Sequence, residues 1–312
     1  MISLPTRKIS VYLVLALIIS SALSASANSL VLKHGYSHDS VTVHGKKRKF
    51  GIYFPKSCNT DQSLPLIIVL HGGLGCGWSA KWDSGMSPQA DKNHFVVAYP
   101  SGVFRTWNAG GCCGPARRLN IDDVGFIHAL IEDMKSKYHI DPDRVFVTGI
   151  SNGGMLAYRL GVELPADIAA IGSIEGCMYQ SQMDSSIPIN VIAVHGARDR
   201  IIRYDGGTGS MFGYKVTSKS VADTIAFWVD HNKCNKQPVR EQMGTIVKDL
   251  YTSGEDGTEV CLYTLTEGGH AWPGGRRCIF AGDRPSKTFS ATDAVCEFFL
   301  SHPKHRKMVP RD

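Results

Sequence analysis

The stretch that most constrains this chain is Gly149-Ile150-Ser151-Asn152-Gly153, directly after Arg144-Val145-Phe146-Val147-Thr148. The β-branched and aromatic run before it predicts a buried strand. Residues 152–160 predict a helix, with Leu156 and Leu160 facing a sheet one turn apart and Arg159 at the edge of that face, able to reach water. A serine between strand and helix, with glycine two residues away on either side, requires a very tight turn. Its backbone is strained, and a side chain at either glycine position would collide with neighbouring elements. The turn lifts the hydroxyl clear of the sheet, and the free N–H groups of the helix start favour negative charge developing there. The bare five-residue pattern also arises by chance in Gly- and Ser-rich loops; here the flanking strand and helix give it meaning.

The first 27 residues read as a leader rather than part of the fold. Arg7 and Lys8 precede the apolar run Val11 to Ile19, and small residues end at Ala25-Ser26-Ala27, a cleavage pattern. A membrane anchor would need about 20 apolar residues, and this run breaks at Ser20 and Ser21. We therefore expect cleavage after Ala27, export to a periplasm or the medium, and no membrane span in the mature chain. The remaining 285 residues suit one large α/β domain over residues 28–302, followed by a basic tail over 303–312. The formal charge of +6 falls to +4 with the leader, and the tail carries +3 of that. The body is then near neutral, which gives no basis for nucleic-acid binding, and the tail reads as a solvated terminus. Nine cysteines with no C-x-x-C pair fit disulfides in an oxidising compartment better than zinc, and the odd count leaves at least one without an intramolecular partner.

Along the chain, residues 41–43 and 48–54 predict an edge hairpin around His44-Gly45-Lys46-Lys47, with Phe50, Ile52 and Phe54 on one inward face. Residues 66–70 form a continuous apolar run, as expected of a parallel strand buried on both sides, and lead into His71-Gly72-Gly73-Leu74-Gly75. Further strands are expected at 95–99, 168–173, 189–194 and 260–265. Helices are expected after Asp122, over 218–231 and over 291–300. Asp122 and Asp123 both stand where acids cap a helix. Strands alternating with helices predict a mainly parallel sheet with helices on both faces.

A serine hydroxyl needs a base to take its proton and an acid to orient that base. Two later residues sit where open α/β sheets gather their sites, just past carboxyl ends of strands. Asp199 lies in His195-Gly196-Ala197-Arg198-Asp199, and His270 in Gly268-Gly269-His270-Ala271-Trp272. Asp205 is the competing acid, six residues further along a Gly-rich loop. His71 and His195 precede glycines at strand ends and read as loop braces.

Taken together, His71-Gly72-Gly73, Trp107-Asn108-Ala109-Gly110, Cys112-Cys113-Gly114-Pro115, Asp122 to Phe126, Gly149 to Gly154, His195-Gly196-x-x-Asp199, Tyr204 to Gly207 and Gly268 to Gly274 resemble the secreted polyhydroxybutyrate depolymerase and feruloyl or acetylxylan esterase group. The resemblance covers nearly all of residues 40–300. It implies an α/β-hydrolase fold and a serine esterase with Ser151 as nucleophile, His270 as base and Asp199 as orienting acid. It further implies an oxyanion hole from the backbone N–H groups of Gly73 and Asn152, Trp107 and Trp272 along the acyl cleft, and no metal or cofactor. The partner is an ester substrate, a hydroxyalkanoate oligomer or a polysaccharide-linked ester. The resemblance also implies a Cys234–Cys261 disulfide and leaves Cys112 and Cys113 joined to each other, free or separately paired. Polymer-degrading relatives often add a domain for insoluble polyester, for which this chain has no room. A non-catalytic secreted binding protein on the same fold is the rival of another class.

Overall fold

The computed structural model describes residues 34–58, 62–179, 185–211, 213–277 and 283–304. The leader expected over 1–27 and the basic tail from residue 305 onward lie outside the described residues. The hairpin is present as β1 (Gly35–Val43) and β2 (Lys46–Phe54). It turns at His44 and Gly45, both with positive φ, which matches the twist of a two-residue hairpin loop. Phe50, Ile52 and Phe54 are buried, as their alternation requires. The chain continues through β3 (Leu64–Leu70), α1 (Gly77–Ser84), α2 (Met86–Asn93), β4 (Val96–Pro100), α3 (Gly114–Arg118), α4 (Asp123–Lys137), β5 (Ile140–Ile150) and α5 (Asn152–Glu163). It ends through β6 (Ala170–Ile174), β7 (Asn190–Gly196), β8 (Gly207–Met211), β9 (Tyr214–Ser218), α6 (Val221–His231), β10 (Val239–Met243), β11 (Ile246–Tyr251), β12 (Val260–Leu265) and α7 (Ala291–Ser301).

Ten strands form one sheet in the order β1-β2-β4-β3-β5-β6-β7-β12-β11-β10. The six from β4 to β12 run parallel, and the two strands at either edge are antiparallel to their neighbours. Two cores follow from strand alternation. In β3, Leu64, Leu66, Ile68 and Leu70 enter one core, while Ile67 and Val69 enter the other. The first core is closed by α4, α5 and α6 through Phe126, Leu156 and Ile225. The second is closed by α1, α2 and α7 through Ala80, Met86 and Val295. Each fully buried aliphatic or aromatic side chain there contributes roughly 1.5–3 kcal/mol of transfer free energy. Helices therefore cover both faces, as the sequence predicts.

Three local readings need correction. The helix expected from Ser218 begins at Val221, because Ser220 caps it by accepting from the Asp223 N–H at 2.9 Å. The β10–β11 hairpin was not expected; every β10 residue is exposed, so its sequence carries no alternating pattern. Asp122 does cap α4, accepting from the Gly125 N–H at 2.8 Å. Asp123 does something else. Fully buried, it accepts from the Arg48 guanidinium at 2.6 Å and from the Asn108 N–H at 2.7 Å. It ties the edge hairpin to the loop before α3.

Candidate active site

The chain order reverses around β3, with β4 on one side and β5 on the other. Open α/β sheets form their crevice at such a point. Ser151 follows β5 with φ 55° and ψ −121°, a conformation that L-residues rarely adopt. The flanking glycines are required. A Cβ on Gly149 would come within 2.7 Å of Leu70 and of the Gly153 backbone, and one on Gly153 within 2.6 Å of the His71 and Leu70 carbonyls. The Ser151 N–H donates to the Ile174 carbonyl at 2.8 Å, which fixes the turn against β6.

The loop after β3 lies opposite. Its turn hydrogen bonds use the Gly75 N–H, to the Gly72 carbonyl at 3.0 Å, and the Leu74 N–H, to the Arg105 carbonyl at 2.8 Å. Gly73 is left facing open space, with nothing within 4 Å of a Cβ built on it. His71 braces this loop from beneath: Nδ1–H donates to the Gly72 carbonyl at 2.7 Å, and Nε2 accepts from the Gly102 N–H at 2.9 Å. Burial lowers its pKa to about 4, so the ring is neutral. The Asn152 side chain clamps a third segment. Its Oδ1 accepts from the Trp107 N–H at 2.7 Å and its Nδ2 donates to the Trp107 carbonyl at 3.0 Å. Asn152 is also the first residue of α5.

His270 lies on the loop after β12, and Asp199 on the loop after β7. His270 Nδ1–H donates to Asp199 Oδ2 at 2.7 Å. The other Asp199 oxygen accepts from the N–H groups of Ile201 at 2.7 Å and Ile202 at 2.9 Å. Burial works against the Asp199 charge, but His270, its hydrogen bond, His195 and the amide donors hold the carboxyl below its ordinary range. Asp283 accepts from the His270 backbone N–H at 2.7 Å and so ties down the His270 loop. Ser151 and His270 line the same small pocket, of about 50 Å³, with Gly72, Gly73, Leu74, Ile150 and Met211. Such an arrangement can take a proton from a hydroxyl and stabilise the imidazolium that results. Asp205, the competing acid, is exposed.

Other expectations fail. Trp107 is wholly buried and Trp272 nearly so, and neither lines the pocket. Trp107 donates its ring N–H to the His71 carbonyl at 2.9 Å, and Trp272 donates to Thr292 Oγ1 at 2.8 Å. Buried indoles need an apolar surround and one acceptor each, and the cores supply both. Their hydrogen bonds brace the segments beside the pocket. Cys234 and Cys261 are free thiols. They belong to the two different cores, on opposite faces of the sheet, so their sulfurs cannot meet. Among the described residues, the sulfurs that do meet are those of Cys112 and Cys113. Sequence reasoning also missed Glu175 and Asp283. The signal for Glu175 was an acid directly ending an otherwise apolar strand.

Residues 48–208 match the model of the family described as Esterase PHB depolymerase, slightly more than half of the chain. The chain belongs to that family. It is accordingly a carboxylic ester hydrolase of the serine type. NocK of Nocardia uniformis subsp. tsuyamanensis is 27% identical over 282 residues, 83% of this chain and 81% of that one. Feruloyl esterase B of Piromyces equi is 28% identical over 236 residues, 72% of this chain but only 42% of that longer protein. Among solved structures, the acetyl xylan esterase from Aspergillus awamori superimposes with a TM-score of 0.59 at 17% identity, covering 85% of this chain and 99% of that one. At such identity the likeness speaks for the fold alone. No helix among the described residues is long and apolar enough to cross a membrane.

Proposed function

We propose that this esterase hydrolyses short-acyl esters, 3-hydroxybutyrate oligomers first among them, through an acyl-enzyme on Ser151. His270, oriented by Asp199, takes the hydroxyl proton as Ser151 Oγ attacks the ester carbonyl. The oxyanion that forms is held by the backbone N–H groups of Gly73 and Asn152. His270 then returns the proton to the leaving alcohol, and a water activated in the same way releases the acid. No metal or cofactor enters this scheme. The expected leader would send the enzyme out of the cytoplasm.

The observation that carries the substrate reading is the size and lining of the pocket. About 50 Å³ beside Ser151, walled by Leu74, Ile150 and Met211, suits a few apolar heavy atoms. A hydroxybutyryl or acetyl group suits that short apolar wall. A second reading, acetyl esters on polysaccharide, is favoured by α1. Ser79 and Asp83 of that helix line the pocket, while Trp78 and Trp82 on its outer side are exposed and stacked at 5.5 Å. Such a platform suits sugar rings. The test is release of 3-hydroxybutyrate from its oligomers, set against release of acetate from acetylated xylan and ferulate from methyl ferulate. We expect the first to give the highest kcat/KM; ferulate release as the fastest reaction would sink the short-acyl assignment. Turnover of p-nitrophenyl acetate that survives Ser151→Ala would leave only the binding-protein reading.

A further inference from the structure

Behind the Asp199–His270 pair lies a carboxyl that the proposed mechanism does not use. Glu175 directly follows β6, is fully buried, and has a positive φ of 49°. Its side chain reaches the end of β7. Both its oxygens lie within reach of the Gly196 N–H, at 2.9 and 3.1 Å. Gly196 is the hinge between the acid and base loops: a Cβ there would come within 2.5 Å of Gly268, and the Asp199 N–H donates to its carbonyl at 3.1 Å. One ligand-type atom from each of Glu175, His195 and Asp199 lies within 4.8 Å of the others.

The cluster has the residue types of a metal site but not the free lone pairs. His195 Nε2 is a donor, giving its proton to the Ile202 carbonyl at 2.8 Å, and lies 3.6 Å from Glu175 and 3.5 Å from Asp199. Both Asp199 oxygens already accept hydrogen bonds. The remaining question is charge. Two carboxylates this close in a dry interior repel strongly, and one neutral imidazole does not offset both.

We propose that Glu175 is a positioning residue for the site: a neutral carboxylic acid that donates its O–H to the Asp199 carboxylate while accepting from the Gly196 N–H. The proposal rests on the catalytic roles given above. Burial and the neighbouring Asp199 charge push the Glu175 carboxyl well above its ordinary range, whereas Asp199 is held below its own. The groups facing Glu175 are Asp199 and His195 on the β7 side, Asp283 on the far side of the β12 loop, and Cys177 just past its own strand. Of these, Asp199 accepts the proton. Glu175 thus fixes the acid carboxylate and the Gly196 hinge together without adding a second buried charge.

Glu175→Gln and Glu175→Ala separate this from a charged or merely space-filling role. Infrared spectra of wild type at neutral pH should contain a protonated-carboxyl C=O band that is missing in E175Q; no such difference would overturn the proposal. In urea unfolding, the unfolded chain ionises Glu175 while the folded chain does not. Wild type should therefore lose stability relative to E175Q as pH rises, by about tenfold in the unfolding equilibrium constant per pH unit above the range of an exposed glutamate. A pH-independent difference would overturn it. On p-nitrophenyl acetate, E175Q should keep kcat/KM within about threefold with an unchanged pH profile, since the amide repeats both hydrogen bonds, while E175A should lose up to about a hundredfold. An acidic limb displaced in E175Q, or an E175A enzyme as fast as wild type, would also overturn it. If E175A does not fold, E175Q and the two non-kinetic readouts still decide. A failed esterase reading would instead show as wild type no faster than Ser151→Ala, and leaves those two readouts intact.

Discussion

His270 and His195 stand near the ends of neighbouring parallel strands, are about 3% and 2% exposed, and both approach the Asp199 carboxylate. Burial and a nearby acid do not distinguish them. Direction does. His270 turns Nδ1–H toward Asp199 and its ring lines the pocket with Ser151. His195 commits Nε2–H to the Ile202 carbonyl and lies in the interior, where desolvation outweighs the pull of Asp199 and holds its pKa down. A base needs one oriented nitrogen and one nitrogen facing the reactant; a brace needs only its hydrogen bonds.

The sharpest way to break this comparison is to remove the groups proposed to react. Ser151→Ala and His270→Ala should each lower kcat/KM on p-nitrophenyl acetate by roughly 10⁴-fold or more, while His195→Gln should stay within about tenfold. Comparable losses in the two histidine variants would end the distinction. Asp199→Asn should cost about 10⁴-fold in kcat with little change in KM, because an amide can no longer enforce the donor state of His270 Nδ1. Single-turnover kinetics would check that the loss lies in acylation.

His71 extends the comparison to a third brace. Its folded pKa of about 4 lies below that of an exposed histidine, so the unfolded state binds the extra proton first. The stability it contributes is fully present above about pH 6.5 and is lost as pH falls toward 4, on the order of 3 kcal/mol in all. Urea unfolding of wild type and His71→Gln between pH 7 and pH 4 should show a shallower slope in the variant, and equal slopes would remove His71 as the source. His195→Gln should have the smallest effect, a loss of roughly 1–3 kcal/mol at neutral pH from the missing bond to Ile202, read as a lower urea midpoint with unchanged slope.

Much of the candidate site was legible because it is written in local chemistry. Ser151 announced itself through two glycines that the turn cannot replace, and Asp199 and His270 through their place after apolar strands. The tryptophans were not legible. Trp107 and Trp272 stand in loops beside the site, and only packing shows that both indoles turn inward. Asp123 looked like a second cap because its partner Arg48 lies 75 positions earlier. The Cys234–Cys261 pairing that the resemblance implies fails because the sheet separates the two side chains.

The order of apolar runs, the tight turn at Ser151 and the histidine and aspartate after later strands follow from residue types and spacings alone, since backbone sterics and side-chain alternation act over a few positions. Which nitrogen of which histidine reaches the pocket, which carboxyl keeps its charge and which face of the sheet receives a cysteine or an indole were decided only by the assembled tertiary structure. Those outcomes depend on desolvation and on contacts between residues far apart in the chain, neither of which any local stretch contains.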